Sequence, residues 1–306
     1  MPLIDDVALG LSLPHRSLEP LSVDEIRAVA TQAELTGFTD LWVTNNTVDR
    51  QAICLDSLTL LSYVAGFTTR IRLGVSVLVL PHYHPVHVAH QVASLDYLSG
   101  GRAILGAALG RPGHYADFQV PVERRVARFT EQIKLIKALW TSERVDFDGE
   151  FFQLHDARVS PRPVQRPHPP VWIGAAHPKA VRRAVRLGDG WASAGGSDTA
   201  RFQSSVEDVR EELRSAGRSA EDFRISKRVF LSVHDDPAVA RAELLRWFSE
   251  VYSAPHMVDE GGVYGTPAQV REELDGIVAA GANHLVLNPV TRYREHIELL
   301  RDVVTG

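Results

Sequence analysis

Four histidines, His82, His84, His87 and His90, fall close together in the chain, and His87 and His90 stand three apart. On a helix that spacing puts both on one face, where they could meet a metal ion. No carboxylate follows at ligand spacing, and the helix that carries them needs one face for packing. A metal-dependent hydrolase is therefore an alternative rather than the leading reading, and no metal site is assigned. A serine hydrolase has less support, because no G-x-S-x-G elbow occurs. Amides offer another chemistry: Asn45 and Asn46 could hydrogen-bond a ring or substrate carbonyl, but neither can act as a general acid or base near neutral pH. Arg111, Arg158, Arg162 and Arg292 could meet phosphate or carboxylate, since guanidinium pairs with both.

The elements that must position these residues alternate regularly. Arg70 to Leu80 is rich in Val, Ile and Leu, as a parallel strand buried on both faces requires, and Pro81 stops it by lacking an amide hydrogen. Helical spacing of Val88, Ala89, Val92, Leu95 and Leu98 follows, with Pro85 suited to the first turn and Gly100-Gly101 to the end. Ala103 to Leu109 is the next buried strand. Before this βαβ unit stand a strand at Val7 to Leu13, a helix at Ser22 to Leu35 with a capping box from Ser22 to Glu25, a strand at Asp40 to Thr44 and a helix at Leu55 to Gly66. After it come a helix at Val122 to Trp140, strands at Val171 to Gly174, Trp191 to Ala194, Ile225 to Val233 and Leu285 to Asn288, and helices at Lys179 to Leu187, Thr199 to Ser215, Pro237 to Tyr252, Pro267 to Ala280 and Arg294 to Val304.

Eight strands, each followed by helix, predict an α/β fold of the (β/α)8 TIM-barrel type, a single domain spanning residues 1–306. Residues 145–170 break the rhythm after helix four. Asp148-Gly149 suggests a hairpin between Val145 to Phe147 and Phe151 to Leu154, and a proline-rich run follows, so the segment reads as an insertion on the barrel. An open dinucleotide-binding sheet is disfavoured, because Leu9-Gly10-Leu11-Ser12-Leu13 lacks the glycine fingerprint.

In a barrel the active site lies at the C-terminal strand ends. Those positions are mostly small and neutral: His15 after strand one, Thr44, Asn45 and Asn46 after strand two, Ser76 and Val77 in strand three, and Gly110 and Arg111 after strand four. Strand five ends in Gly174, Ala175 and Ala176, strand six in Ser193, Ala194, Gly195 and Gly196, strand seven near His234, and Arg292 follows strand eight. Small residues let backbone amides approach a ligand, and amides at a helix start attract phosphate. Two such loops side by side point to a phosphate site. Trp42, near a strand end, could border the same pocket as a substrate contact with Arg111 and Arg292.

His84-Pro85-Val86, Leu95-Asp96 and Ser99-Gly100-Gly101-Arg102 with Gly106 resemble the bacterial luciferase-like family of flavin and deazaflavin oxidoreductases. The resemblance continues through Ser160 to Ala175, Gly188-Asp189-Gly190-Trp191 and Gly265-Thr266-Pro267 to Leu287, and so covers most of the chain. It implies an oxidoreductase or monooxygenase that uses the deazaflavin coenzyme F420 or FMN to transfer hydride to or from a small organic substrate, or to oxygenate it. By the same resemblance Gly174, Ala175, Ala176, Ala194, Gly195 and Gly196 hold the cofactor's phosphate and ribityl chain, Ser76-Val77 is a non-prolyl cis peptide behind the ring, and Asn45, Gly110 and His114 join the cofactor site. Many relatives carry an acidic residue and a histidine where Asn45 and Asn46 stand. Asn46, His15 and His234 then become the catalytic candidates, and a non-catalytic flavin-binding barrel is a second alternative. A homodimer and a flavin or deazaflavin reductase as supplier of reduced cofactor also follow from the resemblance.

Composition bounds the rest. Thirty-three basic against 38 acidic residues give a net charge of −5, which argues against nucleic acid or an anionic membrane as partner. Cys54 is the one cysteine, which excludes an intrachain disulfide and suits a reducing cytoplasm. Asp5 and Asp6 replace the basic start of a signal peptide, and no apolar run approaches bilayer length.

Overall fold

The computed structural model describes residues 7–49 and 52–305, so Asp5 and Asp6 lie outside the described residues. Eight parallel strands form its centre: β1 (Ala8–Ser12), β2 (Asp40–Val43), β3 (Arg72–Val79), β4 (Ala103–Ala108), β5 (Val171–Gly174), β6 (Gly190–Ser193), β7 (Arg224–Val233) and β8 (His284–Pro289). They pair in chain order, and β8 pairs back onto β1, closing a (β/α)8 barrel. Alternation along each strand explains the closure. Leu9, Leu11, Leu41, Val43, Leu73, Val75, Leu105, Val171 and Ile173 belong to the large core shared with the helices, whereas Trp42, Ile104, Trp172 and Val286 form a separate cluster inside the barrel.

Helices follow with caps that the sequence supplies locally. Ser22 accepts from the Glu25 amide at the start of α1 (Val23–Leu35), Asp56 caps α2 (Ser57–Ala65), and His84 caps α3 (Pro85–Ser99). Gly100, at φ 71°, ends α3 in the left-handed conformation that glycine adopts without a Cβ penalty. His84 is thus a cap, and its neighbour His82 stacks on Phe118 at 3.9 Å. The fourth helix, α4 (Arg125–Thr141), starts three residues later than the periodicity predicts, because Arg124 sits at φ 56°.

The insertion is a hairpin of Val145–Asp148 and Gln153–Ala157, longer at its end than expected, followed by prolines with cis bonds at Ser160-Pro161 and Arg166-Pro167. Asp96 on α3 anchors it: the buried carboxylate accepts from the amides of Val164 and Gln165 at 2.7 and 3.0 Å and from the Gln165 side chain. Beyond β5 come α5 (Pro178–Leu187), α6 (Thr199–Ser215), α7 (Pro237–Tyr252), a short α8 (Met257–Gly261), α9 (Pro267–Ala279) and α10 (Tyr293–Thr305). Among the described residues no helix is long and apolar enough to cross a membrane.

Several short elements depart from the expected alternation, among them an antiparallel pair of Arg16–Ser17 and Ile53–Cys54. A strand at Gly262–Gly265 lies between α8 and α9 and pairs in parallel with Phe230–Val233, the upper half of β7. The lower half of β7, Arg224 to Lys227, pairs with β6. The wall therefore divides above Lys227, and the added strand takes the edge that the four-residue β6 is too short to cover.

Candidate active site at the barrel mouth

Two chambers open at the C-terminal strand ends and share Arg111 and Tyr252 as their common border. One, about 400 Å³, is lined by Ala175, Ala176, Ala194, Gly195, Gly196 and Arg228. The other, about 530 Å³, is lined by Thr44, Asn45, Asn46, Gly113, His114 and Asp117. A further cavity of about 510 Å³ lies between β7, the added strand and α9, outside the barrel wall, and is bordered by Glu272 and Glu273.

The first chamber owes its shape to missing side chains. A Cβ on Gly195 would come within 2.6 Å of the Phe230 ring, and one on Gly196 within 2.8 Å of the Met257 methyl. Lys227 holds this loop from behind: its ammonium donates to the Ala194 carbonyl at 3.1 Å and to the Ser197 carbonyl and hydroxyl at 2.5 and 2.8 Å. Burial lowers the Lys227 pKa to about 8, with Asp198 opposing. His177 and Asp198 cap α5 and α6 directly after the two loops, so both loops lead into helix N-termini.

Across the mouth, the Ser76-Val77 peptide is cis, and the pairing of β3 with β4 shifts register between Val75 and Leu78. Val77 then packs against Gly174, where a Cβ would stand 3.0 Å from its methyl. Gly174 and Gly110 make room inside the wall and do not line the chambers; Gly110, at φ 73°, turns the chain after β4 against Val79.

The second chamber carries amides and a sealed imidazole. Asn45 accepts from the Tyr83 hydroxyl at 3.0 Å, and Asn46 donates to Asp49 at 2.6 Å. Asp49 in turn pairs with Arg16 at 2.6 Å. His15 is 5% exposed. Its Nδ1 donates to the Leu13 carbonyl at 2.6 Å, which leaves Nε2 as acceptor from the Thr44 amide at 3.1 Å and the Thr44 hydroxyl. Burial lowers its pKa to about 4, the Leu13 carbonyl opposing and the Arg228 and Arg16 charges assisting. A neutral ring whose only proton is held by a backbone carbonyl has none to give, so His15 positions Thr44 rather than acting as an acid.

Three other expected residues lie apart from the chambers. Trp42 is 1% exposed and tilts against Trp172 at 4.8 Å inside the barrel, because strand alternation turns it inward where Gly10 and Gly74 leave space. Arg292 spends its donors on Glu243, Glu295 and the Val233 carbonyl, tying β7 to α7 and α10. His234 accepts the Asp236 amide at 2.9 Å in the turn into α7. His114 is exposed and does line the second chamber.

Arg228, Phe230, Arg201 and Tyr252, which line the first chamber, were not among the expected residues. The signal available for Arg228 was a basic residue on the same strand face as Ser226 and Phe230, the face opposite Ile225, Val229 and Leu231.

At the opposite end of the barrel, Asp40, His284 and Ser226 form a hydrogen-bonded chain. His284 bridges the Asp40 carboxylate and the Ser226 hydroxyl at 2.8 Å each, and Trp42 and Thr39 also donate to Asp40. The order resembles a hydrolytic triad, but Ser226 and His284 are 3% and 1% exposed, which leaves no path for a substrate.

Residues 8–261 match the family described as luciferase-like monooxygenase. The chain belongs to that family. It is 31% identical to an F420-dependent glucose-6-phosphate dehydrogenase of Kineococcus radiotolerans over 94% of this chain and 93% of that protein. It is 28% identical to a 5,10-methylenetetrahydromethanopterin reductase of Archaeoglobus fulgidus over 84% of this chain and 76% of the relative. In fold it is similar to an F420-dependent secondary alcohol dehydrogenase solved with an F420-acetone adduct, with a TM-score of 0.85, 20% identity and 98% of both chains covered. This luciferase-like barrel is an oxidoreductase of its family's class.

Proposed function

We propose that this luciferase-like barrel binds the deazaflavin coenzyme F420 in its mouth and transfers hydride between it and a small organic substrate. The observation that carries the reading is the first chamber, where Ala175, Ala176, Gly195 and Gly196 leave backbone amides beside two capped helix starts. The relatives that use F420 favour it over FMN. When bound, the cofactor supplies hydride donation and acceptance at its central ring.

The protein's own residues do the rest. The two small-residue loops hold the phosphate and ribityl chain, Lys227 keeps the Ala194–Ser197 loop in place, and the Ser76-Val77 peptide backs the ring. The Asn45 side chain, steadied by Tyr83, faces the ring carbonyls, and Asn46, steadied by Asp49, faces the substrate. An amide orients a carbonyl without moving a proton. The proton that accompanies carbonyl reduction therefore passes through water or the exposed His114 rather than through either asparagine. Arg111, between the two chambers, contacts substrate.

A cytoplasmic homodimer supplied by a separate deazaflavin reductase completes the reading. Tyr63, Tyr97 and Leu98, 36%, 61% and 70% exposed on α2 and α3, supply an apolar surface for the pairing.

Parallel tryptophan-quenching titrations with F420 and FMN test the cofactor. Saturable quenching by F420 at least about tenfold tighter than by FMN is expected. Failure of both cofactors to bind would sink the reading.

A further inference from the structure

Arg228 is 9% exposed and lies on the inner face of β7, above Ser226 and below the rim of the first chamber. Its Nε and Nη2 are buried without a hydrogen-bond partner. Those two nitrogens form one edge of the guanidinium, with parallel N–H bonds that match the two oxygens of a carboxylate or phosphate. A buried guanidinium left unpaired is costly, and among the described residues no carboxylate pairs with this one. Its neighbours are the Phe230 ring at 5.9 Å, the phenols of Tyr252 and Tyr293, and the neutral His15. Glu260, the acid that borders the same chamber, is exposed at the rim.

We propose that Arg228 is the receptor for an anionic group of the substrate, a carboxylate or phosphate held two-pronged below the cofactor cradle. The proposal rests on the cofactor reading only in giving that anion to the substrate. Backbone amides at Ala175, Ala176, Gly195 and Gly196 already provide for a cofactor phosphate at the rim, and Arg201 and Arg111 stand exposed beside them. Arg228 lies deeper, on the strand itself, where its charge acts on His15, the partner of Thr44 in the wall of the second chamber. An anion there would anchor a substrate whose other end points toward Asn45 and Asn46. The substrate class is thus small organic acids or phosphate esters that carry an alcohol or carbonyl.

Calorimetric titration of F420-loaded protein with inorganic phosphate and with acetate tests this, using wild type, Arg228→Met and Arg228→Lys. Melting temperatures verify that each variant folds, and Arg228→Lys keeps the charge while losing the fork. Both anions should bind the wild type, about 100-fold more weakly to R228M and about tenfold more weakly to R228K, with F420 affinity changed less than about twofold. Undiminished anion binding by R228M overturns the proposal. So does a variant that loses F420 but keeps the deazaflavin lacking its phosphate tail, since Arg228 would then serve the cofactor. Arg228-dependent anion binding by protein that takes up no F420 would sink the cofactor reading and leave the anion receptor standing.

Discussion

The two ends of the barrel treat buried polar groups in opposite ways. At the floor, Asp40, His284, Ser226, Trp42 and Thr39 hydrogen-bond to one another in a buried cluster beneath Trp172. At the mouth, Arg228 keeps two buried nitrogens unpartnered, Gly195 and Gly196 leave space that a side chain would fill, and His15 stays neutral. The floor has the geometry of a catalytic triad with no access, and the mouth has access with unmet hydrogen-bonding capacity. A hydrogen-bonded chain that is complete in the folded protein contributes stability; one that is incomplete at a cavity is available to a ligand.

Breaking the floor should have the largest effect. Burial weighs most heavily against the Asp40 charge, yet the His284 charge with hydrogen bonds from His284, Thr39 and Trp42 outweighs it and holds the carboxyl below its ordinary range. Asp40→Ala leaves the His284 and Trp42 donors without an acceptor, at a cost of about 4 kcal/mol. A fall of ten degrees or so in melting temperature is expected, while the surviving folded protein binds F420 with unchanged affinity. Loss of cofactor affinity without loss of stability would reverse the roles assigned to the two ends.

Acid sharpens the contrast through His15. With a pKa of about 4 in the fold and 6.5 as its ordinary value, the unfolded chain takes up a proton between those pH values that the folded protein refuses. Stability therefore falls as pH drops from 6.5 to 4, by about 3 kcal/mol from this residue. Asp40 acts in the same direction at lower pH, because its depressed pKa contributes stability that is lost as pH falls through the folded value. Urea unfolding at pH 7 and pH 4.5 should show His15→Gln flattening the upper part of this dependence. An unaltered slope would mean that His15 is not the group responsible.

How much of this was legible in the sequence follows the same division. Strand order, helix starts at Ser22 and Pro85 and the small-residue loops after β5 and β6 arise from local patterns of hydrophobicity, capping and glycine, which act over a few residues. The added strand at Gly262–Gly265 was not legible, since four residues flanked by glycines become a strand only because β6 ends early beside β7. Trp42 and Arg292 were assigned to the pocket by nearness to strand ends. Inward alternation and an ion pair with Glu243, both tertiary effects, take them elsewhere. Arg228 was hidden for a related reason: its unpaired edge exists only once Phe230, Tyr252 and the β6 loop surround it.

At the mouth, a side chain placed in the cradle should cost affinity more than stability. Gly195→Ala brings a methyl against the Phe230 ring, which must shift, and narrows the approach to the loop amides. About a tenfold loss of F420 affinity is expected with about 1 kcal/mol of destabilisation. Equal affinity in wild type and variant would show that the cofactor does not lie against this loop.

The smallest effect should come from behind the cradle. Lys227 donates to the Ala194 carbonyl and to both oxygens of Ser197 but lies outside the barrel interior, so it holds the loop without facing the chamber. Lys227→Met keeps most of the apolar stem and removes all three donors. Two carbonyl oxygens then turn to water through the cavity beside Glu272 and Glu273, and the loop gains freedom that binding must remove. F420 affinity should fall about threefold, with a faster dissociation rate and an unchanged association rate. A slower association rate would instead show that the Lys227 charge attracts the anionic cofactor. Stopped-flow quenching at two salt concentrations distinguishes these outcomes, since attraction by charge is screened by salt and loop order is not.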